Sequence, residues 1–338
     1  MKSYAGIDLH SSNNFIGIIN QKDKRLYSQR HNNNLKQILK ALRKYKKTLQ
    51  GVVVESTFNW YWLVDGLMDH GYKVHLANPA AIQQYKGLKF KDDKWDAFWL
   101  AHILRLGILP EGYIYPKEQR PIRDMLRRRR IFVKQRTTQI LSLQSTIARN
   151  RGLDFAGNSV ANFSKEFIEQ VLKCPYKISI AWRQLQTIRF LGKQIKEIES
   201  EVEARMELKP AYKKLLTIPG VGKILAMTIM TEVGDIKRFD KVGQYSSYCR
   251  CVSARCISNG KRKKDNNRKN GNRYLAWAYV EAANFNKRHC QKAQKFVQRK
   301  TAKTNYSLAI KALGNKLSKA SYFIMRDQKD YDPVMMFG

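Results

Sequence analysis

Tyr4-Ala-Gly-Ile-Asp8-Leu-His10 and Asn14-Phe-Ile-Gly-Ile-Ile-Asn20 are short β-rich runs joined by the polar turn His10-Ser-Ser-Asn13. Two such runs around a short polar link read as paired antiparallel strands. Arg25–His31 supplies a third strand, and Leu35–Tyr45 has apolar residues at helical spacing. Gly51-Val-Val-Val-Glu55 is a continuous apolar run, the type of strand that is buried on both faces. Trp60–His70 predicts a helix. Tyr72–Ala77 predicts another strand, stopped by Asn78-Pro79. Asp93–Leu106 predicts a helix with an acidic first turn, closed by Gly107.

Three antiparallel strands, a helix, then strands alternating with helices is the element order of a ribonuclease-H-like α/β fold. Downstream the pattern changes. Leu126, Val133, Ile140 and Ile147 recur every seven residues, as do Ile188, Ile195 and Val202, with Leu185, Leu191 and Ile198 between the second set. Two long helices are expected, joined by a loop-rich stretch near 151–178. Heptads define a seam but not who supplies the partner, so a helical hairpin within one chain and a coiled coil between subunits both satisfy them. The expected organisation is α/β plus α: a catalytic α/β domain over 1–112, a coiled-coil helical region for oligomerisation over 113–208, and a mainly helical domain over 209–338.

Charge bounds the partner. The 338 residues include 64 Lys and Arg against 27 Asp and Glu, a net charge of +37. A folded chain so basic repels itself unless it meets a polyanion, and nucleic acid is the usual one. Residues 1–110 hold 17 basic and 8 acidic residues, the remainder 47 and 19. The acid-bearing part reads as catalytic and the rest as the main nucleic-acid platform. No stretch approaches the roughly 20 apolar residues of a membrane span, and the first residues lack a signal peptide's apolar core, so a cytoplasmic protein is expected. The five cysteines (Cys174, Cys249, Cys251, Cys256 and Cys290) are an odd number, which argues against a disulfide framework.

Four carboxylates carry the candidate chemistry. Asp8 lies in the first strand and Glu55 ends the VVV run. Asp93 and Asp96 stand three apart, hence on one helix face. Acids at the ends of neighbouring strands and on a helix turn can converge on one point, where they repel unless a cation joins them. Oxygen ligands of this kind select Mg²⁺ or Mn²⁺. Two such ions about 3.5–4 Å apart can clamp the attacking and leaving oxygens of a phosphodiester displacement. Each acid also has a plainer reading: Asp8 as a turn carboxylate, Asp93 as a helix cap or first-turn acid. Glu55 is harder to dismiss, because a Glu closing a buried run needs a partner. Asp92 competes with Asp93, and spacing does not separate them. Asp65 and Asp69 read as solvated surface.

In the last third, Ile218-Pro-Gly-Val-Gly222 before an apolar helix resembles the turn of a helix-hairpin-helix, where Gly220, Gly222 and Lys223 would admit a phosphate to backbone N–H groups. A simple glycine turn between packed helices is the plainer alternative. Lys261, Arg262, Lys263, Lys264, Arg268, Lys269 and Arg273 form the densest basic stretch and suit phosphate contacts without sequence readout. Ser258 precedes them. A serine hydroxyl among cations can attack a phosphodiester, but serines in basic loops are more often phosphate contacts, no base is visible nearby, and Ser253 is a rival. Cys249, Cys251, Cys256, His289 and Cys290 do not have a standard zinc spacing and read as small buried thiols.

Almost end to end, the chain resembles one family, the DEDD transposases of the insertion sequence one-ten family, also called bridge recombinases. The residues that carry the resemblance are Gly6-Ile-Asp-Leu-His10, Val52-Val-Val-Glu-Ser-Thr57 and Asp93-x-x-Asp96-Ala97 in a RuvC-like domain. In a second, transposase domain they are Ile218–Ala226, Gly234–Phe239, Ile257–Lys261 and Asn270–Ala278. The form Ser258-Asn-Gly-Lys261 is similar to the subgroup named after the element eleven-eleven. The resemblance selects Asp93 and Asp96 over Asp92. It implies Mg²⁺ at Asp8, Glu55, Asp93 and Asp96, and a covalent phosphoserine link to DNA through Ser258. It further implies a homo-oligomer, a dimer that becomes a tetramer in the synaptic complex on donor and target double-stranded DNA. A structured non-coding guide RNA and a nucleoid-associated location in a bacterium are implied as well. Asn259 departs from relatives in which the glycine follows the serine directly. The alternative is a RuvC-like, metal-dependent structure-specific endonuclease with no covalent step.

Overall fold

The computed structural model describes residues 1–82, 92–206, 209–252, 256–263 and 270–337, with backbone alone for 256–258, 262 and 263. Two units divide the chain, Met1–Lys117 and Glu118–Gly338. The first contains β1 (Ser3–Leu9), β2 (Asn13–Asn20), β3 (Arg25–Asn32), α1 (Leu35–Arg43), β4 (Leu49–Glu55), α2 (Tyr61–Asp69), β5 (Val74–Ala77) and α3 (Asp93–Arg105). These follow the expected elements closely. The last strand starts two residues later than predicted, at Val74. The sheet order is β3-β2-β1-β4-β5. β1, β2 and β3 are antiparallel, while β4 and β5 run parallel to β1. This mixed sheet is consistent with the ribonuclease-H-like reading.

Side chains along a strand alternate between faces. Ala5, Ile7 and Leu9, with Ile16, Ile18, Val52 and Val54, pack on Ile38 and Leu42 of α1 and Leu63, Val64 and Leu67 of α2. The opposite parity faces α3: Val53 and Ala77 pack with Leu100 and Ile103, and Ile19 with Phe98 and Ala101. On that second face Gly6 and Gly17 are register partners across β1 and β2. A Cβ on Gly6 would lie 2.0 Å from the Ala97 carbonyl oxygen and 2.8 Å from the Ala101 nitrogen, and one on Gly17 would lie 3.0 Å from Phe98. The two glycines make a bare patch that seats α3 directly on the sheet. Asp92 starts α3 by accepting from the Trp95 N–H at 2.6 Å, as an N-cap does.

The second unit opens with two 32-residue helices, α4 (Arg120–Arg151) and α7 (Pro175–Met206), each about 48 Å long at the usual rise. They pair antiparallel within the chain. Leu126 clusters with Val202 and Met206 at one end, and Leu143 and Ile147 with Ala181, Leu185 and Ile188 at the other. Arg129 meets Glu199 at 2.6 Å, and Gln184 donates to Ser142 at 2.8 Å. The connection near 151–178, read from sequence as loop-rich, carries two short helices, α5 (Gly157–Val160) and α6 (Lys165–Leu172). Val160, Phe163, Ile168, Val171 and Leu172 cover the hairpin's end. Period-based reading passes over elements of four and eight residues because they contain too few turns to show one.

After α7 come α8 (Pro210–Leu215), α9 (Lys223–Val233), α10 (Val242–Tyr248), the hairpin β6 (Cys256–Ser258) and β7 (Lys261–Lys263), then α11 (Arg273–His289), α12 (Gln291–Lys303), α13 (Tyr306–Asp327) and α14 (Pro333–Phe337). Tyr245, Tyr279, Leu313, Leu317 and Tyr322 lie in the shared core, and the hydroxyls of Tyr245 and Tyr279 are 2.5 Å apart. Glu232, almost wholly buried on α9, receives both Arg127 of α4, at 2.6 and 2.7 Å, and the Asn272 amide, at 2.7 Å. Asn272 also caps α11. One buried carboxylate thus ties the root of the long hairpin to the start of α11. No helix among the described residues is long and apolar enough to cross a membrane.

The seating of α3 yields a prediction. Gly6→Ala should destabilise the first unit by about 3 kcal/mol, because backbone must move to admit the methyl group. Gly107→Ala meets nothing within 4 Å and carries only the strain of φ +70°, about 1–2 kcal/mol. Urea unfolding of the two variants, followed by circular dichroism, checks the order; equal losses would refute it.

Candidate functional site

β1 and β4 are adjacent and parallel, with Ile7 opposite Val54. That register puts Asp8 beside Glu55 at the same end of the sheet, and the parity of both strands turns them toward α3. The close seat of α3 brings its first turn, Asp93 and Asp96, to the same place. All four sequence-predicted carboxylates therefore converge. Asp92 points elsewhere, committed to its helix cap. Asp93 instead faces Asp8 through His10, whose Nε2 lies 3.0 Å from Asp8 Oδ2 and 3.2 Å from Asp93 Oδ1. One donor atom each from Asp8, His10 and Asp93 all lie within 4.8 Å of one another.

The electrostatics are those of a site built for a cation. Burial is the main influence that raises Asp8. His10 opposes it, and the charges of Asp96 and Asp93 reinforce it. Glu55 is pushed up to about 7, first by burial, then by the charge of Asp8 and a hydrogen bond with it. Asp93 behaves oppositely. Partial burial works to raise it, but the Arg30 guanidinium at 2.6 Å, together with His10, holds it below the usual carboxylate range. Clustered acids that drive one another toward protonation are relieved by a divalent ion. The donors at ligand distance, Asp8, His10 and Asp93, with the carboxylates of Glu55 and Asp96 beside them, fit a divalent ion held mainly through oxygen.

His10 and Arg30 were not among the residues expected from sequence. A signal for His10 exists in its spacing, two residues after Asp8 and so of the same parity. Arg30 had none. It reaches the site because Asp8 pairs with Phe15 and Phe15 with Arg30 across three strands, a matter of register.

In the second unit, Ser258 ends β6 and is the register partner of Lys261. The two residues between them, Asn259 and Gly260, both have positive φ, +50° and +68°. A two-residue hairpin loop of this kind favours Asn-Gly. Asn259, which departs from the resemblance, is thus the residue its turn demands. That dipeptide is the sequence signal for the hairpin. Lys261 is exposed. The backbones of Arg262 and Lys263 lie in β7, whereas Ser253, Lys264, Arg268 and Lys269 fall outside the described residues. Arg273 opens α11 with its guanidinium 5.0 Å over the Tyr274 ring.

Gly220 has φ +86°, and a Cβ there would lie 2.4 Å from the Asn286 nitrogen, so close packing on α11 accounts for this glycine. Gly222 is exposed at the N-cap of α9, and Lys223 beside it pairs with Glu203. Burial raises the Cys249 thiol well above its ordinary value and Cys251 to about 12. Both favour the neutral thiol, which is a poor zinc ligand. Among the described residues, the acidic centre is the one cluster of His, Cys, Asp and Glu with metal-binding geometry.

Comparison with known proteins fixes the family. Residues 5–149 match a family model described as a transposase, the DEDD type of IS110 elements, and residues 212–298 match a second, described as "Transposase IS116/IS110/IS902 family". The chain belongs to the IS110 family of DEDD transposases. It is accordingly an enzyme that cuts and rejoins DNA, and a DEDD domain implies a divalent metal. This IS110-family chain is 23% identical to a Pseudomonas aeruginosa protein named "Probable family 20 transposase", over 81% of the chain and 82% of the relative. It is 22% identical to the transposases of insertion sequence elements IS1328 of Yersinia enterocolitica and IS1111A of Coxiella burnetii, over 81% of the chain and 83% and 76% of those proteins.

Two predictions follow from the geometry. Glu55 binds its proton more tightly when folded, so its contribution to stability is full below its ordinary value of 4.5 and is lost as pH rises through about 7. The metal-free protein should therefore lose stability between about pH 4.5 and 7, and Glu55→Gln should flatten that slope; thermal melts across the window in chelator test this. Separately, Asp92→Ala should cost about 1 kcal/mol as a lost cap and leave Mn²⁺ affinity unchanged. Asp93→Asn should weaken Mn²⁺ binding about tenfold or more with little effect on stability, as read by titration calorimetry. A reversed pattern would exchange the roles of the two acids.

Proposed function

We propose that this transposase cuts and rejoins DNA strands at two centres, the carboxylates of the first unit and a serine of the second. The observation that carries the reading is the convergence of Asp8, Glu55, Asp93 and Asp96 at one end of the sheet. These four would hold Mg²⁺, or Mn²⁺, with His10 beside them. When bound, the cation supplies charge neutralisation to the phosphodiester as negative charge builds on its oxygens. Arg30, paired with Asp93 and half exposed, would meet a backbone phosphate. The carboxylates would hold the cation that meets the scissile phosphate, and burial limits water around Asp8.

The Ser258 Oγ gives up its proton and bonds to phosphorus as the bond from phosphorus to the departing sugar oxygen breaks, and that oxygen takes up a proton. The strand end is then held as a phosphoserine, and rejoining reverses the step with a new sugar hydroxyl. Support comes from the tight Asn259-Gly260 turn next to Ser258, the flanking cations and the resemblance of this segment to its family. Gly222 and Lys223, at the exposed start of α9, join Lys261, Arg262, Lys263, Lys264, Arg268, Lys269 and Arg273 as phosphate contacts. The net charge of +37 is enough for two polyanions, which supports a structured guide RNA as well as donor and target duplexes. The hydrophobic side chains of Leu141, Ile180 and Phe190, exposed on the outer faces of the helical hairpin, support assembly into dimers and a synaptic tetramer.

Covalent trapping is the test. The protein is mixed with guide RNA, donor and target DNA and Mg²⁺, then run on a denaturing gel. A protein–DNA adduct is expected that disappears in Ser258→Ala, with cleavage abolished in Asp8→Asn. Cleaved DNA without an adduct, unchanged in Ser258→Ala, would leave a RuvC-like metal-dependent endonuclease.

A further inference from the structure

Phe58 is 85% exposed, in the loop that leaves the active end of β4. Single exposed apolar residues are ordinary, so exposure alone carries little. The mount is what sets this ring apart. The Ser56 N–H donates to the Ala77 carbonyl at 3.1 Å, and the Thr57 N–H to the Glu55 carbonyl at 2.9 Å. The Thr57 hydroxyl donates to Asn59 Oδ1 at 2.9 Å, and Asn59 Nδ2 donates to the His10 carbonyl at 2.9 Å. Trp60, the next residue but one, is buried. The loop is therefore clamped on both sides of Phe58, and the ring is held out at its apex.

Its location matters as much. The residue that anchors the loop, His10, places its ring against Asp8 and Asp93. Glu55, three residues before Phe58, is itself one of the four carboxylates. An exposed aromatic is thus carried on a loop tied at both ends to residues of the carboxylate cluster, Glu55 and His10, on a chain whose net charge of +37 selects polyanions.

We propose that Phe58 is a nucleobase-stacking site, receiving an unpaired base of the DNA strand held at the carboxylate cluster. The proposal rests on the reading of that cluster as the strand-cutting centre. Every base has a flat π-face and stacks on aromatic rings without regard to sequence, whereas a base inside an intact duplex has no free face to offer. Phe58 would therefore favour strands that are opened next to the scissile phosphate over closed duplex. It would also replace the stacking that the base loses on leaving the helix.

The full-length protein, titrated in Ca²⁺ with a single-stranded DNA oligonucleotide carrying 2-aminopurine, tests this. Stacking on Phe58 should quench the probe. Phe58→Ala should abolish the quench and weaken binding of the single strand about tenfold, the scale of one base–aromatic stack. Its affinity for a closed duplex and its melting temperature should stay unchanged. Phe58→Trp should restore quench and affinity, and Phe58→Leu should not restore the quench. Wild-type quench and affinity in Phe58→Ala, with divalent-dependent DNA cutting intact, would overturn the stacking site and leave the cluster's role standing. Failure of the wild-type transposase to cut donor and target DNA in the presence of guide RNA with any divalent ion would overturn the cluster's role, and with it the proposal that the stacked base belongs to a strand held there.

Discussion

The candidate active site depends on the absence of two side chains. Gly6 and Gly17 lie opposite one another, and the Ala97 carbonyl would come within 2.0 Å of any Cβ on Gly6. That contact lets α3 lie directly on the strands. Were α3 lifted by the thickness of a methyl group, Asp93 and Asp96 would move away from Asp8 and Glu55, and the acids would no longer share one space. The apolar groups around the seat, Phe98, Leu100, Ala101 and Ile103, hold the helix against a repulsion that grows as the four carboxylates approach.

That repulsion is left standing in the folded chain. Asp8 and Glu55 are both raised, and His10 and Arg30 offset the charge of the cluster only in part. Stability is spent at the candidate site, a common arrangement where a ligand completes the fold locally. The neighbouring acid Asp92 shows the contrast. Its carboxylate meets a backbone N–H and serves the helix alone.

The second unit solves a different problem with one buried acid. Glu232 accepts from Arg127 and Asn272 together, and so links a hairpin about 48 Å long to the helix that follows the basic β6–β7 segment. A buried carboxylate with two strong donors is costly to disturb from either side. The geometry of the hairpin's root and of the α11 cap are therefore coupled through a single side chain.

Much of this was legible in the sequence. Period-two runs and the VVV strand specified the sheet, and the heptads specified two long helices, because local backbone periodicity is written directly in side-chain pattern; Asp8 and Glu55 stood out as candidate acids by their places on strands. Short elements were not legible: α5 and α6 have too few turns to show a period, and the β6–β7 hairpin has only its Asn-Gly turn to announce it. Spacing could not separate Asp92 from Asp93, since both are plausible first-turn acids, and only the family resemblance chose between them. The sequence held no sign of Arg30, whose place beside Asp93 follows from the pairing of three strands. It also left open which surface the heptads bury; in the folded chain α4 and α7 bury much of it against each other. Tertiary structure decided these matters because they depend on which chain segments meet in space, and distances across a sheet or between helices have no counterpart in linear spacing.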